Sequence, residues 1–206
     1  MIKAYGSSTS GNCWKVATVL KLTGQPFQWV EVNSNAGGTR TAEYLALNPN
    51  GKVPIVQLDD GAVITESNAI LLHFADGTHL LPPPGLARTR VTEWLFFEQY
   101  SHEPYIAVAR NWIAYQGATE KYAARLPEIW ERGHRALAVM ERRLAGRTYL
   151  ASDQLSIADL ALYAYTHVAY EGDFDLTPYP GIRGWLNRVA AEPGLTSILA
   201  VTKAVP

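Results

Sequence analysis

Tyr5-Gly6-Ser7-Ser8-Thr9-Ser10-Gly11-Asn12-Cys13-Trp14-Lys15-Val16 decides the fold. A short apolar run, Met1–Tyr5, enters this stretch. A helical pattern leaves it, with Val16, Val19 and Leu20 on one face. Between the two lie hydroxyl residues and glycine. The first turn of a helix carries free backbone N–H groups and a partial positive charge. A strand-to-helix junction rich in hydroxyls therefore suits an anion or a polarised atom.

On either side of the junction the chain alternates. Ile2–Tyr5 reads as a strand and Asn12–Thr23 as a helix stopped by Gly24. Phe27–Val32 alternates apolar and polar residues, as a second strand does. Ala36–Thr41 is a glycine-containing loop, Thr41–Leu47 a short helix, and Asn48-Pro49-Asn50-Gly51 a turn. Val53–Leu58 and Ala62–Ile64 flank Asp59-Asp60-Gly61 as a hairpin, and Glu66–Ala75 is a helix. The order is β-α-β-α-β-β-α. Pro82, Pro83 and Pro84 then stiffen a linker, placed at residues 80–86. This divides the chain into a first domain, residues 1–79, and a second, residues 87–206.

No strand is expected in the second domain. Arg88–Tyr115 reads as a long helix bent near Pro104, Lys121–Leu144 as another, and Gly181–Ala191 as a further one. Leu155-Ser156-Ile157-Ala158-Asp159-Leu160 carries a capping box, with a helix running on to about Tyr170.

The bulk composition narrows the function. The 206 residues are 48% hydrophobic and 18% charged, with a net charge of -1. That balance gives no support for binding nucleic acid or an anionic membrane. No apolar run reaches the roughly 18–20 residues of a membrane span. No basic segment followed by an apolar run marks a secretory leader, so a cytoplasmic location is expected. Cys13 is the sole cysteine, which excludes an intrachain disulfide and a cysteine-rich metal site; no metal is expected.

An α/β domain of this order followed by an all-helical one resembles a cytosolic glutathione transferase. The resemblance spans essentially the whole chain. It rests on four features in order: the hydroxyl-rich turn, Asn48-Pro49-Asn50-Gly51-Lys52-Val53-Pro54, Glu66-Ser67 opening a helix, and Leu155-Ser156-Ile157-Ala158-Asp159. It implies a thioredoxin-like first domain, glutathione as co-substrate and a small electrophilic acceptor. It also implies a detoxification role and a homodimer, in which the partner's Glu93 or Glu98 approaches the glutathione ammonium.

The same resemblance implies roles for individual residues. Ser10, six positions before Val16, stands where serine-type transferases place the hydroxyl that holds the thiolate. Asn12 follows it much as in the Thr-Pro-Asn pattern of nu-class bacterial transferases. Ser7, Ser8 and Thr9 compete with Ser10 for that role, and Ser10 also reads as an ordinary N-cap. A cis bond before Pro54 would let the Val53 backbone pair with the glutathione cysteine. Arg40 and Lys52 are cations for the glycyl carboxylate; Glu66 and Ser67 hold the γ-glutamyl end. His102, Tyr105 and Arg110 are candidates for the second-substrate wall. Cys13, with no second cysteine, is assigned to packing, and Asp159 to folding. Two other functions fit these features: a glutathione-dependent disulfide reductase, and a glutathione-binding module without turnover.

Overall fold

In the computed structural model, which describes residues 1–197, the alternating first part of the chain builds a four-stranded sheet. The strands are β1 (Ile2–Gly6), β2 (Phe27–Glu31), β3 (Ile55–Gln57) and β4 (Val63–Thr65), in the order β2-β1-β3-β4. β1 and β2 are parallel, with Tyr5 opposite Val30 and Gly6 opposite Glu31. The other pairs are antiparallel, with Tyr5 opposite Ile55 and Ile55 opposite Thr65. Three helices accompany the sheet: α1 (Gly11–Leu22), α2 (Ala42–Leu47) and α3 (Ser67–Ala75). A 3-10 turn, Gly38–Arg40, precedes α2 within the expected loop. This is the expected β-α-β-α-β-β-α order. Val32, Tyr44 and Ile55 form a buried cluster with Tyr5, Leu47, Val53 and Val63. α1 packs against α3.

The described chain divides into two compact units, Met1–Leu81 with the segment from Pro193, and Pro82–Glu192. The return of the chain to the first unit was not foreseen. The Trp14 indole N–H donates to the Thr196 carbonyl at 2.7 Å, fastening this segment to α1.

The second unit is helical. It holds α4 (Leu86–Phe97), α5 (Glu103–Arg110), α6 (Thr119–Tyr122), α7 (Leu126–Leu144), α8 (Ile157–Thr166) and α9 (Pro180–Ala190). The expected helix Arg88–Tyr115 is one helical run with two wide π turns, Glu98–His102 and Asn111–Tyr115. The first of these ends two residues before Pro104. Proline has no N–H to give to an α-turn and its ring crowds the preceding carbonyls, so the ladder widens there. The helix expected over Lys121–Leu144 is broken, because Pro127 sits in the first turn of α7, where a proline starts a helix well. α8 stops at Thr166, short of the expected Tyr170, and gives way to a 3-10 turn at Ala169–Gly172. Gly172 allows that turn to approach α5: a Cβ there would lie 2.8 Å from the Arg110 nitrogen.

Asp159 is fully buried and organises this unit. Its carboxylate accepts from the Leu150 N–H at 2.9 Å, from the Ser156 N–H and hydroxyl at 3.0 Å each, and from the Trp185 indole at 3.0 Å. Burial holds its pKa up, and these bonds act against that rise. Asp159→Ala strands several buried donors at once and should cost about 3 kcal/mol or more of stability. The urea midpoint, followed by tryptophan fluorescence, checks this.

His167 stacks on Tyr163 at 4.5 Å between centroids, and its Nδ1 donates to the Tyr163 carbonyl at 2.7 Å. Burial pulls its pKa down from 6.5 to about 4. The unfolded chain therefore takes up this proton first as the medium acidifies. The stability held by neutral His167 is complete above pH 6.5 and is lost as the pH falls toward about 4. The loss amounts to as much as about 3 kcal/mol. His167→Gln should flatten the decline of stability across that window, measured as the difference in urea midpoint from the parent protein.

Candidate active site

Every expected glutathione-site residue of the first unit lies at or near one end of the sheet, for a reason of topology. β1 leaves the sheet at Gly6, β4 leaves it at Thr65, and β3 enters it at Ile55. Tyr5, Ile55 and Thr65 lie in one row across the three strands. The Ser7–Ser10 turn, the Val53-Pro54 step and the Glu66-Ser67 helix start therefore follow from the same edge.

The turn itself is closely tied. The Ser10 N–H donates to the Ser7 carbonyl at 3.0 Å, and the Ser7 and Thr9 hydroxyls share a bond of 3.1 Å. Ser8 donates its N–H and its hydroxyl to Glu31 Oε1 at 2.9 and 3.1 Å. Ser10 is the N-cap of α1, with extended backbone, and its Oγ accepts from the Cys13 N–H at a long 3.4 Å. The N-cap reading of Ser10 is thus present in the structure, and its hydroxyl also bonds toward the Cys13 sulfur.

Asn12, one residue inside α1, reaches the start of α3. Its Oδ1 accepts from the Ser67 hydroxyl at 3.4 Å. The N-terminal ends of α1 and α3 thus meet. Ser67 is buried to 4% exposure, whereas Glu66 is exposed. Glu66 was read as the first helical residue. It instead stands just outside α3 with φ 67° and ψ 116°, a conformation rare for a residue with a side chain, and its carboxylate does not cap the helix. Strain of this kind persists where surrounding structure holds it, as at binding sites.

The peptide bond between Val53 and Pro54 is cis. The loop before it is held from behind. The Tyr44 hydroxyl and the Asn48 side-chain amide both donate to the Lys52 carbonyl at 2.8 Å. The sequence marks Asn48 as a turn residue and the start of the Asn48–Pro54 motif, and no sequence signal singles out Tyr44. Lys52 itself is exposed. Arg40 is exposed and lies against Gly51, where a Cβ would stand 2.3 Å from its Nη1. Gly51 also has φ +62°, so both space and backbone favour glycine beside this guanidinium.

A family model for the glutathione S-transferase N-terminal domain matches residues 9–76, and one for the C-terminal domain matches residues 97–193. The chain is 57% identical to a glutathione S-transferase from Xanthobacter autotrophicus Py2, with a TM-score of 0.94 over 98% of this chain and 99% of that one. Glutathione S-transferase 3 of Zea mays is 30% identical over 100% of this chain and 96% of its own length. The chain belongs to the glutathione S-transferase family. It is accordingly a glutathione transferase. A further relative, the disulfide-bond oxidoreductase YfcG of Escherichia coli, is 26% identical over 94% of this chain and 92% of its own length.

The transferase keeps two of the three residues expected at its second-substrate wall deep in the helical unit. His102 is fully buried, with Nε2 2.9 Å from the Thr166 hydroxyl. Arg110 is 3% exposed; its Nε pairs with Glu171 at 2.5 Å, and its Nη2 donates to the Tyr115 hydroxyl at 2.7 Å. Tyr105 is half-buried, and its hydroxyl accepts from Arg132 at 3.2 Å. Of the two acidic residues considered for the subunit contact, Glu98 is fully buried, whereas Glu93 is half-exposed in an ion pair with Arg90.

Cys13 is also fully buried. Its Sγ accepts from the Ser7 N–H at 3.3 Å, and burial pushes its thiol up to about 12. An aromatic disulfide reagent at pH 8 should therefore find no reactive thiol in the folded transferase and one in denaturant. A stoichiometric reaction of the native protein would contradict the packing assignment.

Proposed function

We propose that Ser10 and Asn12 hold the glutathione sulfur as a thiolate, and that this thiolate attacks a small electrophile. A free thiol with pKa near 8.5 is only a few per cent ionised at neutral pH. A hydroxyl donor and the N-terminal end of α1 favour the anion without adding a base. In the transfer the sulfur lone pair forms a bond to the electrophilic carbon, and the leaving group departs with its electron pair.

The observation that carries the choice of Ser10 is how the hydroxyls of the turn are bonded. Ser8 gives its proton to Glu31, and Ser7 and Thr9 bond to each other. Ser10 accepts from the Cys13 N–H at the mouth of the helix, and its hydroxyl also acts on the Cys13 sulfur in the sense that favours a thiolate. Asn12, bonded to Ser67, links the sulfur position to the γ-glutamyl position.

In the same reading, Ser67 with its N–H and hydroxyl takes the γ-glutamyl carboxylate and Glu66 the ammonium. The Val53 backbone pairs with the cysteinyl residue alongside Pro54. Arg40 and Lys52 take the glycyl carboxylate. We assign His102 and Arg110 to holding the helical unit together, which leaves Tyr105 as the one of the three with accessible surface. The proposed assembly is a homodimer, and Glu93, being on the surface, is the acidic residue available to a second subunit. The proposed location is the cytoplasm. No helix among the described residues is long and apolar enough to cross a membrane, which is consistent with that location.

Ser10→Ala should lower kcat/KM toward a chloronitrobenzene acceptor by about 100-fold. Binding of glutathione, measured by calorimetry, should survive. An unchanged rate would reassign the hydroxyl. A parallel assay with hydroxyethyl disulfide separates the reductase reading, suggested by Asn12 and by the E. coli relative. Turnover of the disulfide alone would overturn the proposed conjugation. Glutathione binding with turnover of neither substrate would favour the binding module.

A further inference from the structure

Glu31 touches no residue proposed to bind glutathione, yet it holds the turn that carries Ser10. It ends β2, beside Gly6 in the parallel register, at the point where β1 gives way to the turn. Its carboxylate is exposed but fully engaged. Oε1 accepts from both the N–H and the hydroxyl of Ser8, and Oε2 accepts from the Trp29 indole at 2.8 Å. Trp29 is itself wedged against the junction: a Cβ on Gly6 would stand 2.5 Å from its ring and 3.0 Å from the Cys13 Cβ. Indole, carboxylate and Ser8 therefore form a brace from β2 onto the segment leading to Ser10.

The charge of this brace is the wrong one for the chemistry. A carboxylate beside a thiol favours the protonated form, and Glu31 already acts on Cys13 in that sense. An acid at this position opposes the thiolate by charge and helps it only by geometry. We infer that Glu31 is a positioning residue for the transfer reaction, fixing the Ser8–Ser10 turn so that the Ser10 hydroxyl meets the glutathione sulfur. This inference rests on the reading of Ser10 as the thiolate donor.

The opposing signs give a decisive test. The pKa of enzyme-bound glutathione is titrated by its ultraviolet thiolate absorbance, and kcat and KM are measured for the parent protein, Glu31→Ala, Glu31→Gln and Ser10→Ala. Glutamine keeps an oxygen for Ser8 but loses the charge and the acceptor for the Trp29 indole. If Glu31 positions the turn, Glu31→Ala raises the bound thiol pKa and lowers kcat about tenfold with KM for glutathione nearly unchanged. Glu31→Gln, which keeps the bonds to Ser8, then recovers part of the rate. If Glu31 acts by charge, both variants lower the pKa together, and the inference is overturned. It is equally overturned if Ser10→Ala impairs the reaction while Glu31→Ala leaves pKa and kcat at parental values. If Ser10→Ala itself has no effect, the donor assignment fails, and the inference falls with it for that separate reason. Urea midpoints of the variants close to the parent's establish that the comparison is between folded proteins.

Discussion

Two helix N-termini, those of α1 and α3, end at the same edge of the sheet and are joined through the Ser67 hydroxyl and Asn12 Oδ1. Each terminus brings backbone N–H groups that the helix cannot satisfy itself. The first unit depends on this arrangement twice over. It requires β1 and β4 to run outward at the same end, and the antiparallel entry of β3 brings the cis Val53-Pro54 step to that end too. A sheet of this topology with two such helices creates a concentrated field for a ligand with carboxylate groups and one ionisable sulfur. Glutathione fits that description, and the family to which the chain belongs supplies its name.

The loop residues with no proposed ligand contact matter as much as those with one. Tyr44 and Asn48 converge on one carbonyl, that of Lys52, and so fix the backbone immediately before the cis bond. Gly51 makes room for the Arg40 side chain in a backbone conformation that other residues resist. The proposed recognition surface is thus backbone and loop, held in place by buried side chains from α2 and from the Asn48 turn. In the helical unit Asp159 plays the corresponding part, drawing the 150 region, the start of α8 and the Trp185 ring of α9 onto one carboxylate.

Much of this was legible in the sequence, because the signals were local. Alternation and helical spacing placed every strand and helix of the first unit to within a few residues. Ser156 and Asp159 announced their capping box, which is present in full. Other features depended on contacts that periodicity does not encode. The seating of Thr196 on Trp14 joins residues 182 positions apart. The burial of His102 and Arg110 was hidden because their spacing on a long helix is compatible with either face, and the π turns on both sides of α5 shift the phase of that helix. Pro104 was correctly seen as a disturbance, but its form, a widened turn and not a simple bend, follows from the missing N–H. Glu31 carried no signal at all, since a terminal acidic residue of an edge strand reads as solvated.

Cys13 shows why the reactive sulfur has to come from outside. It sits in the first turn of α1, with the Ser10 hydroxyl and the Ser7 N–H both bonding its sulfur, so it has a helix end and two donors in its favour. Its thiol is nevertheless pushed up to about 12, because burial outweighs those contributions. A sulfur on the solvent side of Ser10 would meet the same helix end and the Ser10 hydroxyl without paying that desolvation. On the proposed reading, the same turn silences one thiol and activates another, and burial of the sulfur decides which.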